Sequence, residues 1–152
     1  MRKKQTLGNY EDVKERALRL IAFREHSTKE LIDKLTMDGA EQDYIDKTVE
    51  FCTEYGFLND EAYAMHKASD LSKIKHYGKH RIAIELAMKG ISSDIIENTL
   101  EEIEDSDDIL LPLVEKRLKG DIANRDRVIR YFASHGYEIE QIKKCIERAL
   151  DV

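Results

Sequence analysis

His76 and His80 are the first candidates for chemistry in this chain, because four residues apart on a helix two imidazoles share one face, as metal ligands often do. Gly78 stands between them and makes a continuous helix doubtful, so the pair reads better as solvated histidines in a basic corner. His26, His66 and His135 have no such partner spacing. Cys52 and Cys145 are far apart and lack a CxxC context, and each reads as a small residue on a helix rather than half of a disulfide. No nucleotide-binding glycine loop, HExxH or nucleophile elbow is present. Carboxylates are plentiful, but a catalytic pair needs two of them in contrasting environments. Instead Asp94, Glu97, Glu101, Glu102, Glu104, Asp105, Asp107 and Asp108 form one run without a lysine or arginine. Such a run reads as solvated surface, with a docking patch or a local repellent of DNA as the alternative.

The cations flank that run. One cluster is Lys73, Lys75, Lys79, Arg81 and Lys89, opposed only by Glu85. The other is Lys116, Arg117, Lys119, Arg125, Arg127 and Arg130, diluted by Glu115, Asp121 and Asp126. A net charge of −6 argues against a protein that coats nucleic acid by electrostatics alone, so placement of charge matters more than its total. The two clusters suit an extended anionic partner, either a phosphate backbone or an acidic protein groove. Cations that only solubilise helix faces fit the pattern equally, and the residues alone leave both readings open.

The elements that must position these cations are helices. Leu, Ile, Ala, Glu and Lys dominate the 152 residues, 41% are hydrophobic, and there is one proline. Glycines 39, 56, 78, 90, 120 and 136 separate amphipathic segments, where a helix end needs positive φ. The pattern predicts helices over about 10–25, 28–37, 42–55, 60–75, 79–89, 93–103, 108–119, 124–135 and 138–150. Ser27 and Glu30 form a capping box, Asn59-Asp60 and Ser92-Ser93 stand at further caps, and Pro112 is expected near the first turn of the seventh helix.

Internal repetition organises these helices. Superposing Gly39, Gly90 and Gly136 aligns Leu31, Ile82 and Val128, and likewise Leu35, Leu86 and Phe132. Beyond the glycines it aligns Ile45, Ile96 and Ile142, then Val49, Leu100 and Ile146. Arg81 and Arg127 share a column and are expected to project alike from successive units. The expected fold is all-α: three tandem three-helix repeats, 10–58, 59–105 and 106–152, forming an elongated, curved array that exposes a long surface. A helix pair with a glycine corner also suggests a DNA-reading helix-turn-helix. However, the second helices carry Glu50 and Glu54, then Glu97, Glu101 and Glu102, where base-reading cations are needed. No apolar run is long enough for a bilayer, and the basic start at residues 1–8 leads into no apolar stretch, so a cytoplasmic monomer without membrane contact is expected.

Several segments resemble the RecX family of bacterial regulators of the RecA recombinase. Arg24-Glu25-His26-Ser27-Thr28-Lys29-Glu30-Leu31 with Leu35 is similar to the opening repeat of that family, and Phe57 to Ala64 to its entry into the second. Tyr77 to Ile91 resembles its most diagnostic stretch, and Arg130 to Ile142 matches the third repeat more loosely. The chain departs from the family in having no aromatic residue between Tyr63 and Tyr77, and in its strong acidic stretch after Ile103. The resemblance implies a non-enzymatic regulator, without cofactor, that lodges in the groove of the RecA–DNA filament. There it would modulate, chiefly inhibit, filament growth, ATP hydrolysis, strand exchange and coprotease activity. The RecA filament is then the partner, and DNA a weaker one. The alternative from another class is a stand-alone nucleic-acid-binding helical repeat protein, which a steep loss of affinity with salt would identify. An enzyme has no motif behind it.

Overall fold

A computed structural model describes residues 7–151; the basic stretch at positions 1–6, on which the sequence reading of the start partly rests, lies outside it, as does residue 152. Its helices are α1 Tyr10–Phe23, α2 Thr28–Met37, α3 Gln42–Glu54, α4 Asp60–Lys73, α5 Lys79–Met88, α6 Ser93–Glu101, α7 Asp107–Leu118, α8 Arg125–Ser134 and α9 Ile139–Ala149. A 3-10 turn, Ile122–Asn124, leads into α8. Among the described residues there is no strand.

Local chemistry sets where these helices begin. Asn9, Asn59 and Ser92 each accept a hydrogen bond from the backbone N–H three residues on, satisfying an orphan donor of the first turn. Ser27 and Glu30 form the reciprocal capping box. Pro112 is not in the first turn: α7 begins at Asp107 behind Ser106, which puts the proline inside the helix. Its missing N–H leaves the Asp108 carbonyl without the usual intrahelical donor.

Each run of three helices closes on its own core. Val13, Ala17, Leu31, Leu35, Ile45, Cys52 and Leu58 form the first, and Tyr63, Ala64, Ala68, Leu71, Ile82, Leu86 and Ile91 the second. Leu110, Val114, Leu118, Val128, Phe132, Tyr137, Ile142, Cys145 and Ile146 form the third. In all three the first and third helices pack together and the second packs on the third. The aligned columns Leu31/Ile82/Val128 and Leu35/Leu86/Phe132 are buried throughout, while Ile96, Val49 and Leu100 in the later columns are half-buried. The chain is therefore a helical repeat array. Cys52 and Cys145 are buried free thiols in separate cores, and burial raises the pKa of both, which keeps them poor nucleophiles. No described helix is long and apolar enough to cross a membrane.

Candidate functional site

The repeats meet end to end through their second helices. At the first junction the Ser27 hydroxyl, at the start of α2, donates to the Lys89 carbonyl oxygen at the end of α5 (2.7 Å). The Thr28 N–H reaches the Asp60 carboxylate of the second repeat (2.8 Å). At the second junction the pattern recurs one repeat on: the Gly78 N–H donates to the His135 carbonyl (2.7 Å) and the His80 N–H to the Gly136 carbonyl (3.2 Å). In both, the carbonyl-rich end of one helix faces the N–H-rich start of another, which aligns their dipoles favourably and satisfies groups each helix leaves unpaired. Tyr137 adds an O–H donor to the His76 carbonyl (3.1 Å); burial, then the Asp105 charge, pushes its phenol up to about 12, so the donor is retained.

The junctions differ in charge. At the first, Glu30 is only 14% exposed and is held by Arg24 (3.0 Å) and by Lys89 from the second repeat (3.5 Å). Burial alone would raise its pKa. The hydrogen bonds from Arg24, the Ser27 N–H and Tyr63, with the Arg24 charge, outweigh that and hold the carboxyl down at about 2. Glu25 lies 3.0 Å from His66 across the same junction. At the second junction the Glu138 carboxylate meets His80, but among the described residues no carboxylate lines the space beside Lys75 and His135.

A concavity of about 410 Å3 opens there instead, between α7 and α8 and reaching back to the segment that joins α4 to α5. Lys75 enters it from the second repeat, and Lys116, Arg117, Lys119 and Arg127 from the third. His76, Asn124, Tyr131 and His135 complete its polar wall, and no acidic side chain lines it. The Arg117 guanidinium lies over the Tyr131 ring (3.3 Å to its centroid), and His135 stacks on the same tyrosine (4.0 Å). Tyr77 meets His135 edge-on (5.4 Å), and Arg81 covers Tyr77 (4.7 Å), so a ladder of rings and guanidinium groups crosses from the third repeat to the second. His76 (φ 57°) and Lys119 (φ 55°) hold left-handed backbone that costs a non-glycine residue energy, and both face the concavity. Like charges converging in a concave, low-dielectric wall focus a field that attracts anions.

The structure sorts the cations singled out from sequence. Lys79, Arg81, Lys89 and Arg125 lie against Asp105, Glu85, Glu30 and Asp126 respectively. Lys75, Lys116, Arg117, Lys119 and Arg127 come together in the groove. Lys73 and Arg130 are exposed and do not line it. Arg81 and Arg127 occupy equivalent repeat positions, but their surroundings differ. Arg81 is used at the junction, bonded to Glu85 (3.0 Å) and the Ser134 carbonyl (3.2 Å), while Arg127 lines the concavity. Of the carboxylates that dilute the second cluster, Asp126 sits beside Arg125 and Asp121 accepts from the Ala123 N–H. Sequence reading passed over Tyr131 and His135 as site residues, although Arg127, Tyr131 and His135 at four-residue intervals share a face of α8. His80 faces Glu138, away from His76, and among the described residues no group of three or more His, Cys, Asp or Glu side chains is placed to hold a metal.

Comparison with known proteins places two family models on the chain: "RecX, first three-helix domain" over residues 14–52 and "RecX, second three-helix domain" over residues 59–100. "Regulatory protein RecX" of Chlorobium phaeobacteroides is 33% identical over 135 residues, covering 87% of this chain and 89% of that protein. "Regulatory protein RecX" of Vibrio parahaemolyticus is 32% identical over 134 residues, 85% of this chain and 86% of the relative. A crystal structure of RecX from Lactobacillus salivarius shares the fold with a TM-score of 0.81 at 21% identity, covering 93% of this chain and 96% of that one.

Proposed function

The chain belongs to the RecX family, a family of regulatory proteins, and we propose that it acts on the RecA recombinase by seating in the helical groove of the RecA–DNA filament. In this reading it modulates the filament by occupancy and without catalysis, lowering filament growth, ATP hydrolysis, strand exchange and coprotease activity. The units that follow the groove are 10–58, 59–105 and 106–152. It works as a monomer in the cytoplasm, with the filament as main partner and DNA as a weaker one.

The observation that carries this reading is the carboxylate-free groove between the second and third repeats. Cations without an ion-pair partner among the described residues, in a chain of net charge −6, mark where an anionic partner gains most, because no such pair is given up on binding. Lys75, Lys116, Arg117, Lys119 and Arg127 are therefore the primary contact set. Lys73 and Arg130 are secondary, and Lys79, Arg81, Lys89 and Arg125 serve mainly to hold the array together.

A second reading, a stand-alone nucleic-acid binder, gains support from the same convergence of cations, since a basic groove also tracks a phosphate backbone. Binding measured against preassembled filament and against bare single-stranded DNA over a range of salt separates the two. The regulator reading expects the filament to be preferred, with a shallow salt slope. Equal affinity for bare DNA, lost steeply with salt in proportion to the phosphates contacted, would transfer support to the second reading.

A further inference from the structure

At the first junction an anion built into the chain ties two repeats together: Glu30 joins Arg24 of its own repeat to Lys89 of the next. The glycine register carries that triad onto the second junction, where the corresponding residues are Lys75, Arg81 and His135. The central anion has become a cation. Arg81 turns aside to Glu85 and the Ser134 carbonyl, and Lys75 and His135 are left lining the groove. The second junction thus keeps the flanking basic groups of the first and has lost the negative charge between them.

We infer that a ligand bearing linked phosphates takes the place of the missing carboxylate and clamps the third repeat to the second. This deepens the reading of the groove as the partner-facing site and rests on it. Lys75 reaches the groove from the α4–α5 segment, whereas Lys116, Arg117 and Arg127 reach it from α7 and α8, so one anion that touches both walls closes the junction. Linked phosphates suit the space, because the groove cations converge within about 410 Å3 and need several negative charges on neighbouring atoms. Carboxylates spaced along a peptide bring fewer charges into that volume. The guanidinium groups also match phosphate oxygens in pairs, while lysines serve as point charges. A nucleic-acid backbone and the phosphates of a free nucleotide share this chemistry.

The full-length chain at low salt, titrated calorimetrically with inorganic tripolyphosphate and separately with an oligo-dT strand, tests the inference. Amide exchange is followed at Gly78 and His80, whose N–H groups bond to the third repeat. Saturable binding is expected, together with slower exchange at both amides. Replacing the exposed Lys75 (Lys75→Ala) should weaken binding about tenfold, the loss of one charge-assisted bond, without changing the helical signal. Binding of tripolyphosphate identifies a free polyphosphate as sufficient; binding of oligo-dT alone identifies the polymer, and either outcome supports the clamp. The inference is overturned if neither binds, if a polyglutamate peptide of equal charge binds as tightly, or if Lys75→Ala or ligand leaves affinity or amide exchange unchanged. Inhibition of filament ATPase is scored separately on the same samples. Its absence in the wild-type chain would count against the regulator reading, while the clamp stands or falls on calorimetry and exchange.

Discussion

Ser27 and Lys89 meet across the first junction: the Ser27 hydroxyl donates to the Lys89 carbonyl oxygen while its oxygen accepts the Glu30 N–H, so one side chain caps α2 and closes α5. Removing the hydroxyl leaves orphan groups on two helices. Ser27→Ala is expected to cost about 2 kcal/mol in chemical denaturation. Ser92→Ala, which removes a cap that makes no bond to another repeat, should cost about 1 kcal/mol or less. Equal losses would detach Ser27 from the junction.

Gly136 serves both as a helix corner and as a contact with Arg81. Its φ of +100° already disfavours any side chain, and a Cβ there would strike the Arg81 backbone nitrogen. Gly136→Ala should therefore destabilise by about 2–4 kcal/mol, combining backbone strain with overpacking. At Gly39, where an added Cβ meets open space, the same change should cost about 1 kcal/mol. Thermal melts of the two variants check the difference, and matching shifts would argue against a close second junction.

Leu86 is fully buried in the core of the middle repeat. Leu86→Ala should cost about 2–5 kcal/mol from lost contacts and the remaining cavity. Amide exchange should place the loosening in α4 to α6 first, because each repeat has its own core. Uniform loosening along the chain would contradict independent cores.

Glu30 makes the first junction acid-sensitive. Its carboxyl sits at about 2 against an ordinary 4.5, so its contribution is complete above pH 4.5 and is lost as pH falls towards 2. The shift corresponds to about 3 kcal/mol. Glu30→Gln should remove most of that at neutral pH and flatten the fall in stability between pH 4.5 and 2. An unchanged acid limb would mean that the carboxyl is not held by Arg24 and Lys89.

The helices and their repetition were legible in the sequence because caps, glycine corners and apolar spacing act over a few residues. Pro112 was expected near the first turn, but α7 starts at Asp107, one residue before the expected Asp108, and the proline is its sixth residue. The junctions were not legible. They are made largely by backbone N–H and carbonyl groups, which carry no side-chain signature. The column shared by Arg81 and Arg127 was readable, but their different surroundings depend on contacts between repeats that the column does not encode. Part of the groove was visible as a basic cluster. That Lys75 joins Lys116 and Arg127, and that Tyr131 and His135 stand among them, required knowing how the second repeat sits on the third.

The central claim is that the groove between the second and third repeats is where this chain grips a recombinase filament. ATP hydrolysis by the cognate RecA on single-stranded DNA, titrated with the wild-type chain and with a Lys116→Glu/Arg127→Glu double variant, tests it most directly. Both substituted residues are exposed, so the helical signal should be unchanged. The account predicts that the wild-type chain suppresses hydrolysis and that the variant requires at least about tenfold more protein for the same effect. Equal suppression by both would contradict the groove as the contact, and hydrolysis untouched by the wild-type chain would contradict the regulator itself.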